Sequence, residues 1–320
     1  MKIVMLDRNS IGYDIDTSIF SKLGTFEEYD TMPLAESTPL ISDADAIIFN
    51  KTKMDEEALL DAKNVKLLCV TATGYDNIDV DYAKSRGIAV CNVKGYSTPA
   101  VVQHTFALAL HVLEKISFYD NYVKSGEYSN QLGFSNFSER YFELEGKTWG
   151  IIGMGNIGKG VAKAAEAFGC RIVFYSASGN RYDLPYEQVD FDTLLTESDV
   201  ISIHCPLTEK TRDLIDLTAL KKMKKTAVLV NVARGPIINE EDLYTALTQD
   251  LIGGAGLDVL SKEPMQHDNP LSKIKDGKKL IITPHMAWAS VESRTRCMQE
   301  VYKNIEAFLS NEDRNRVDKQ

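Results

Sequence analysis

The chain is poor in cysteine, has no excess of basic residues and contains no long apolar run. Its five cysteines in 320 residues (Cys69, Cys91, Cys170, Cys205 and Cys297) are scattered, odd in number and never spaced as C-x-x-C. That pattern excludes a disulfide framework, argues against a structural zinc site or any other metal, and points to a reducing cytoplasm. The formal net charge of -10 speaks against nucleic acid or a membrane surface as partner. No apolar segment approaches the ~20 residues of a membrane span. Met1 to Asp7 reads as an opening strand and turn, without a signal peptide's apolar core. Low-complexity tracts and internal repeats are also missing.

What is present is a βα rhythm. Apolar runs at Ile3–Leu6, Ala46–Phe49, Leu67–Thr71 and Ile88–Asn92 read as strands, followed by Thr148–Ile152, Ile172–Tyr175, Val200–His204, Ala227–Asn231, Ala255–Val259 and Leu280–Thr283. They are continuous rather than alternating, as parallel strands covered on both faces require. The length accommodates two such domains. A helix after Pro99 is apolar nearly all round, which suits a buried element joining them. A second helix, Ser290 to Leu309, is expected to return to the first domain and make it discontinuous. The expected division is 1–99 with 290–320, and 100–289. Residues 119–146 are aromatic but lack clear periodicity, and read as an arm or long loop covering a partner subunit.

The chemistry starts at Gly153-Met-Gly-Asn-Ile-Gly158, between a strand and a helix. In a dinucleotide fingerprint Gly153 permits the tight turn, Gly155 lets backbone approach a pyrophosphate, and Gly158 lets helix and strand pack closely. Asn156 and Ile157 open the helix whose free amides would meet the phosphates. The ribose-reading acid expected at the end of the next strand is missing: Ser176 stands there, with no acid before Asp183. A serine neither grips ribose hydroxyls as a carboxylate does nor repels a 2′-phosphate, and Ser178, Asn180 and Arg181 could receive one. The cofactor is therefore NAD or NADP, with NADP favoured.

Further polar residues follow strands directly, at the carboxyl ends where α/β proteins bind ligands. His204-Cys-Pro-Leu-Thr208, Asn231-Val-Ala-Arg-Gly-Pro236 and Thr283-Pro-His-Met-Ala-Trp288 do so, with Asp258 and Glu263 at the end of another strand. Arg234, Glu263 and His285 thus converge on the edge that holds the glycine turn. A histidine can pass a proton to a carbonyl that accepts hydride, a glutamate beside it stabilises the imidazolium and fixes its tautomer, and a guanidinium can grip a carboxylate.

Six ordered motifs carry a resemblance over essentially the whole chain. They are Thr73-Gly-Tyr-Asp-Asn-Ile-Asp79, the glycine fingerprint, His204 to Arg212, Leu229 to Gly235, Gly256-Leu-Asp-Val259 with Glu263-Pro264, and Thr283-Pro-His285. The sequence resembles the D-isomer-specific 2-hydroxyacid dehydrogenases, and most closely their glycerate dehydrogenase or hydroxypyruvate reductase branch.

The resemblance implies a Rossmann NAD(P)-binding domain and a flavodoxin-like substrate domain with the active site in the cleft between them. It implies reversible hydride transfer between a nicotinamide and a 2-oxoacid/D-2-hydroxyacid pair. Arg234 then binds the substrate carboxylate and carbonyl, His285 is the acid–base, and Glu263 is its partner. The amides around Thr73 and Gly74 hold the carboxylate, and Asp258 orients the carboxamide. Val232 and Ala233 line the nicotinamide ring, while His204, Pro206 and Thr211 belong to the cofactor wall. A homodimer is implied too. Reduction of pyruvate or of branched or aromatic 2-oxoacids, and a non-catalytic corepressor-like scaffold, are the alternatives.

Overall fold

Each continuous apolar run becomes a strand of one of two wholly parallel sheets. The computed structural model describes residues 1–319, and the chain divides into two units, Met1–Ser97 with Ala289–Gln320, and Thr98–Trp288. The first holds β1 (Lys2–Met5), β2 (Thr25–Glu28), β3 (Ala46–Phe49), β4 (Leu67–Val70) and β5 (Ala89–Cys91), ordered β2-β1-β3-β4-β5. This is the flavodoxin-like order. Every residue of β3, β4 and β5 is buried, Cys69 and Cys91 among them. The helix Val291–Leu309 belongs to this unit; Ser290 caps it by accepting the Ser293 amide, and Met298, Val301 and Ile305 form its buried side.

The second unit holds β6 (Thr148–Ile152), β7 (Arg171–Tyr175), β8 (Glu187–Gln188), β9 (Val200–Ile203), β10 (Val228–Asn231), β11 (Gly254–Leu257) and β12 (Leu280–Ile282). Their order is β12-β11-β10-β9-β6-β7-β8. The chain therefore leaves β6 in one direction for β7 and β8, then returns to its other side for β9 onward. The loops after β6 and β9 part at that reversal and open a crevice at the carboxyl edge, the usual ligand site of doubly wound sheets.

The helix Thr98–Leu113 lies against this sheet with Val101, Phe106, Leu108, Ala109 and Val112 buried. Glycines in β11 allow its close approach: a Cβ on Gly256 would come within 2.8 Å of the Leu108 Cβ. Trp149 and Phe174 fill the interior beside Phe106, whose ring centroid lies 4.6 Å from that of Trp149.

Two strands had no signature in the sequence. β2 and β8 are the short outer strands of their sheets, with Thr25, Glu28 and Glu187 exposed. Edge strands are covered on fewer sides, so they tolerate charge where inner strands demand apolar side chains. The region expected to be an irregular arm is helical in part: Ile116–Lys124 forms an α-helix and Glu127–Asn130 a 3-10 turn. That helix buries none of its residues fully, and nothing required a clean apolar stripe. Among the described residues no helix is long and apolar enough to cross a membrane.

Candidate active site

The glycine turn sits at the point where the sheet order reverses. Gly153 has φ +96°, left-handed space that only glycine enters without strain. It also abuts the loop after β9, where a Cβ would lie 2.6 Å from the Cys205 amide nitrogen. Gly158 packs on the turn itself, a Cβ there meeting the Gly153 carbonyl oxygen at 2.2 Å. Gly155 differs from both: a Cβ would find no protein atom within 4 Å. Its bare backbone caps the helix Asn156–Ala167 and faces open space, which fits the approach of a pyrophosphate to the helix amides.

A pocket of about 640 Å³ opens there, lined by Gly153 and Gly155, by Ser176 and Ser178 after β7, and by His204, Pro206 and Thr211 after β9. The Ser176 and Ser178 hydroxyls lie 3.1 Å apart, and the turn that carries them closes through the Gly179 amide on the Ser176 carbonyl. Arg181 does not line this pocket. It lies on a separate hollow with Gly179, Gln188, Val189 and Asp190. Tyr182 and Lys210, neither of them singled out in the sequence, line the main pocket in its place.

His204 is half-buried, its amide bonded to the Ile152 carbonyl at the end of β6. Its Nε2 lies 2.9 Å from the Ser202 hydroxyl, which also accepts Trp149 Nε1–H at 2.9 Å. Nε2 is thus engaged with Ser202, and Nδ1 is a buried atom with no protein partner among the described residues. Burial holds the ring neutral, with its pKa pushed down to about 3. Thr211 acts locally, closing the turn after β9: its hydroxyl donates to the Pro206 carbonyl and accepts the Thr208 amide.

A histidine–carboxylate pair lies beyond β11 and β12. His285 Nδ1 is 2.6 Å from Glu263 Oε2, and the other carboxylate oxygen accepts the Leu260 amide at 3.0 Å. With Nδ1 committed to the carboxylate, Nε2 is the ring atom left to exchange a proton. His285 adopts φ +54°, unusual for a side chain of its size, and its loop is held by Asp258. The Asp258 carbonyl accepts the His285 amide, and its carboxylate accepts the amides of Met286 and Ala287, each at 2.8 Å.

Burial raises the Asp258 pKa, but hydrogen bonds from His104, Thr283 and those amides outweigh it and hold the group below the usual carboxylate range. Thr283 donates to Asp258 Oδ1 at 2.6 Å, and His104 Nε2 stands 2.9 Å from the Thr283 hydroxyl. Asp258, the residue expected on the carboxamide, is thus deeply engaged with the backbone that carries His285. His104 was not distinguished in the sequence, since nothing local marks a residue on Thr98–Leu113 as a neighbour of β12.

Arg234 follows β10 and is braced by Asn231, whose side chain donates to the Arg234 carbonyl at 2.9 Å and accepts the Ala233 amide at 3.0 Å. Val232 and Ala233 are half-buried on this bend. In the other unit, Thr73 and Gly74 follow β4. The Thr73 hydroxyl donates to the Val93 carbonyl at 2.8 Å, and its own carbonyl accepts Asn92 Nδ2 at 2.7 Å.

A doubly wound unit with a glycine turn at its switch point, a histidine–carboxylate pair and a braced arginine defines a nicotinamide-dependent oxidoreductase. The family model of the D-isomer specific 2-hydroxyacid dehydrogenase NAD binding domain matches residues 106–287. A hydroxypyruvate reductase of Blautia hydrogenotrophica is 38% identical, with 100% of each chain covered. A glycerate dehydrogenase of Methylorubrum extorquens is 36% identical, with 99% of each covered. Among solved structures, an acyclic imino acid reductase in complex with NADPH and D-Arg is 33% identical, with a TM-score of 0.88 and 99% and 100% of the two chains covered. The chain belongs to the D-isomer specific 2-hydroxyacid dehydrogenase family, and is an oxidoreductase of 2-hydroxyacids.

Proposed function

We propose that this protein interconverts hydroxypyruvate or glyoxylate with the corresponding 2-hydroxyacid, as the names of its relatives suggest. The observation that carries the reading is the 2.6 Å contact between His285 Nδ1 and Glu263 beside the Arg234 bend. The bound nicotinamide supplies the hydride in reduction and accepts it in oxidation. His285 Nε2 gives its proton to the carbonyl oxygen as C2 gains hydride, and takes it back in oxidation. Glu263 stabilises the imidazolium form and holds the tautomer. Arg234 grips the carboxylate and polarises the adjacent carbonyl.

The glycine turn, His204, Pro206 and Thr211 would hold the dinucleotide, and Val232, Ala233 and the loop fixed by Asp258 would receive its nicotinamide. NADP is the favoured form: Ser176 and Ser178 offer hydroxyls where an acid would repel a 2′-phosphate, and Lys210 adds a cation to the same pocket. The protein acts in the cytoplasm as a homodimer joined through its aromatic arm. Tyr119 donates to the Glu139 carbonyl within the arm and Lys278 ties the Glu139 carboxylate to the body, while Leu132, Phe134 and Phe137 stay exposed.

Following coenzyme absorbance with NADH and NADPH against hydroxypyruvate, glyoxylate, pyruvate, 2-oxoisocaproate and phenylpyruvate tests the assignment. Fastest turnover with either of the first two is expected. Preference for pyruvate or a bulkier acid would move the assignment to D-lactate-type chemistry, and silence with every pair would overturn it. His285→Ala should lose about 10²-fold or more in kcat while coenzyme still binds.

A further inference from the structure

The Glu263 loop is anchored at both ends by one carboxylate that lies far from it in sequence. Glu240 opens the helix Glu240–Thr248. Its Oε1 accepts the Ser261 amide at 2.6 Å, and its Oε2 accepts Asn269 Nδ2 at 2.7 Å. Ser261 precedes Glu263 and Asn269 follows it, so the clamp closes the base of the loop. Asn269 is buried and directed by a second bond, its Oδ1 accepting the Leu271 amide at 3.0 Å. It therefore cannot turn its amide round without losing that bond.

The clamped backbone also meets the Arg234 bend. A Cβ on Gly235 would lie 1.9 Å from the Leu260 carbonyl carbon and 2.4 Å from the Ser261 nitrogen. No side chain separates the two segments, so a shift at Ser261 reaches both the arginine and the glutamate. We propose that Glu240 is a positioning residue, which sets Glu263 against His285 and registers that pair with Arg234. The proposal rests on the acid–base reading of Glu263 and His285, and adds to it a residue that touches neither substrate nor coenzyme. Misplacing a reacting group by about 1 Å costs up to about a hundredfold in rate, so a carboxylate at the loop base can control turnover.

Glu240→Gln tests this, because the glutamine still accepts from Ser261 but sets an NH₂ against the NH₂ of Asn269. We expect kcat to fall about tenfold, with the oxoacid KM and the coenzyme dissociation constant within about twofold. Glu240→Gln with Asn269→Asp reverses donor and acceptor and should restore kcat to within about threefold. In a Glu263→Gln background, Glu240→Gln should cost clearly less than its tenfold in the wild type, because the part of the effect that runs through Glu263 is already lost.

Amide exchange across 260–269 reads the clamp by itself, and should rise in Glu240→Gln and return in the reversed pair. Unchanged exchange, fully additive losses or no rescue would each overturn the proposal. Raised exchange with a fully active Glu263→Gln would instead overturn the acid–base reading, and with it the functional role given to Glu240. A Glu240 that merely supports folding would lower Tm in step with exchange and leave kcat alone.

Discussion

Asp258 holds His285 by the backbone: its carbonyl accepts the His285 amide at 2.8 Å, and its carboxylate takes the next two amides. This bonding sustains the left-handed conformation of His285, which costs a residue of its type about 1–2 kcal/mol. Asp258→Asn would turn an NH₂ toward one of those amides. Expected outcomes are a kcat loss of about tenfold or more and a stability loss of about 2–4 kcal/mol by urea titration. Wild-type kcat in this variant would separate the carboxylate from catalysis.

The glycines of the turn should respond differently. Gly158→Ala drives a methyl into the Gly153 carbonyl, so it should lower stability by about 1–3 kcal/mol and weaken coenzyme binding. Gly155→Ala meets no protein atom. Its Tm should stay within about 2 °C while the coenzyme dissociation constant rises about tenfold or more. Equal effects on Tm and binding in the two variants would mean that the space over Gly155 is not where the pyrophosphate lies.

Cofactor choice is read at Ser176. Ser176→Asp should move the NADPH/NADH ratio of kcat/KM toward NADH by about tenfold, since a carboxylate repels a 2′-phosphate and accepts ribose hydroxyls. Lys210→Ala should lower kcat/KM for NADPH more than for NADH. Arg181→Ala should leave the ratio alone, because Arg181 lies on the other hollow. An altered ratio in Arg181→Ala with none in Ser176→Asp would relocate the ribose site.

His204 makes stability depend on pH. Its folded pKa of about 3 lies below the ordinary value of 6.5, so the unfolded chain binds the proton first as pH falls. The contribution is complete above about pH 6.5 and is lost progressively toward pH 3, amounting to about 2 kcal/mol between pH 7 and 5. Urea unfolding at those two pH values should show a smaller loss in His204→Gln than in wild type by about that amount. Equal losses would mean that the ring can charge in the folded state.

The arm carries the dimer proposal. Leu132, Phe134 and Phe137 are each at least 87% exposed, an apolar display that ordinarily marks an interface. Exchanging Phe134 and Phe137 for serine should shift the species in sedimentation from dimer to monomer at micromolar concentration. A wild-type monomer, or a variant dimer of unchanged affinity, would rule out the arm as the contact.

What the sequence determined by itself was whatever depends on neighbours along the chain. A strand covered on both faces must be apolar throughout, so the inner strands β3 and β4, and β9 to β11, were legible from composition alone. The glycine turn was legible because a tight bend between strand and helix restricts the residues it can hold. Arg234 and His285 stand out in the sequence as polar residues closely following strands, and Glu263 as an acid a few residues past β11.

Tertiary structure decided which of these groups act together. Only the folded sheet puts β11 beside β12, and so joins Asp258 to the His285 loop and brings His104 to Thr283. Only the fold closes Glu240 on Ser261 and Asn269, and only the course of the chain after β7 gives the dinucleotide pocket Tyr182 and Lys210 rather than Arg181. The physical reason is range. Burial and backbone conformation are imposed residue by residue and leave a local pattern. A hydrogen bond between distant segments depends on where two surfaces meet, and their side chains carry no mark of it until they do.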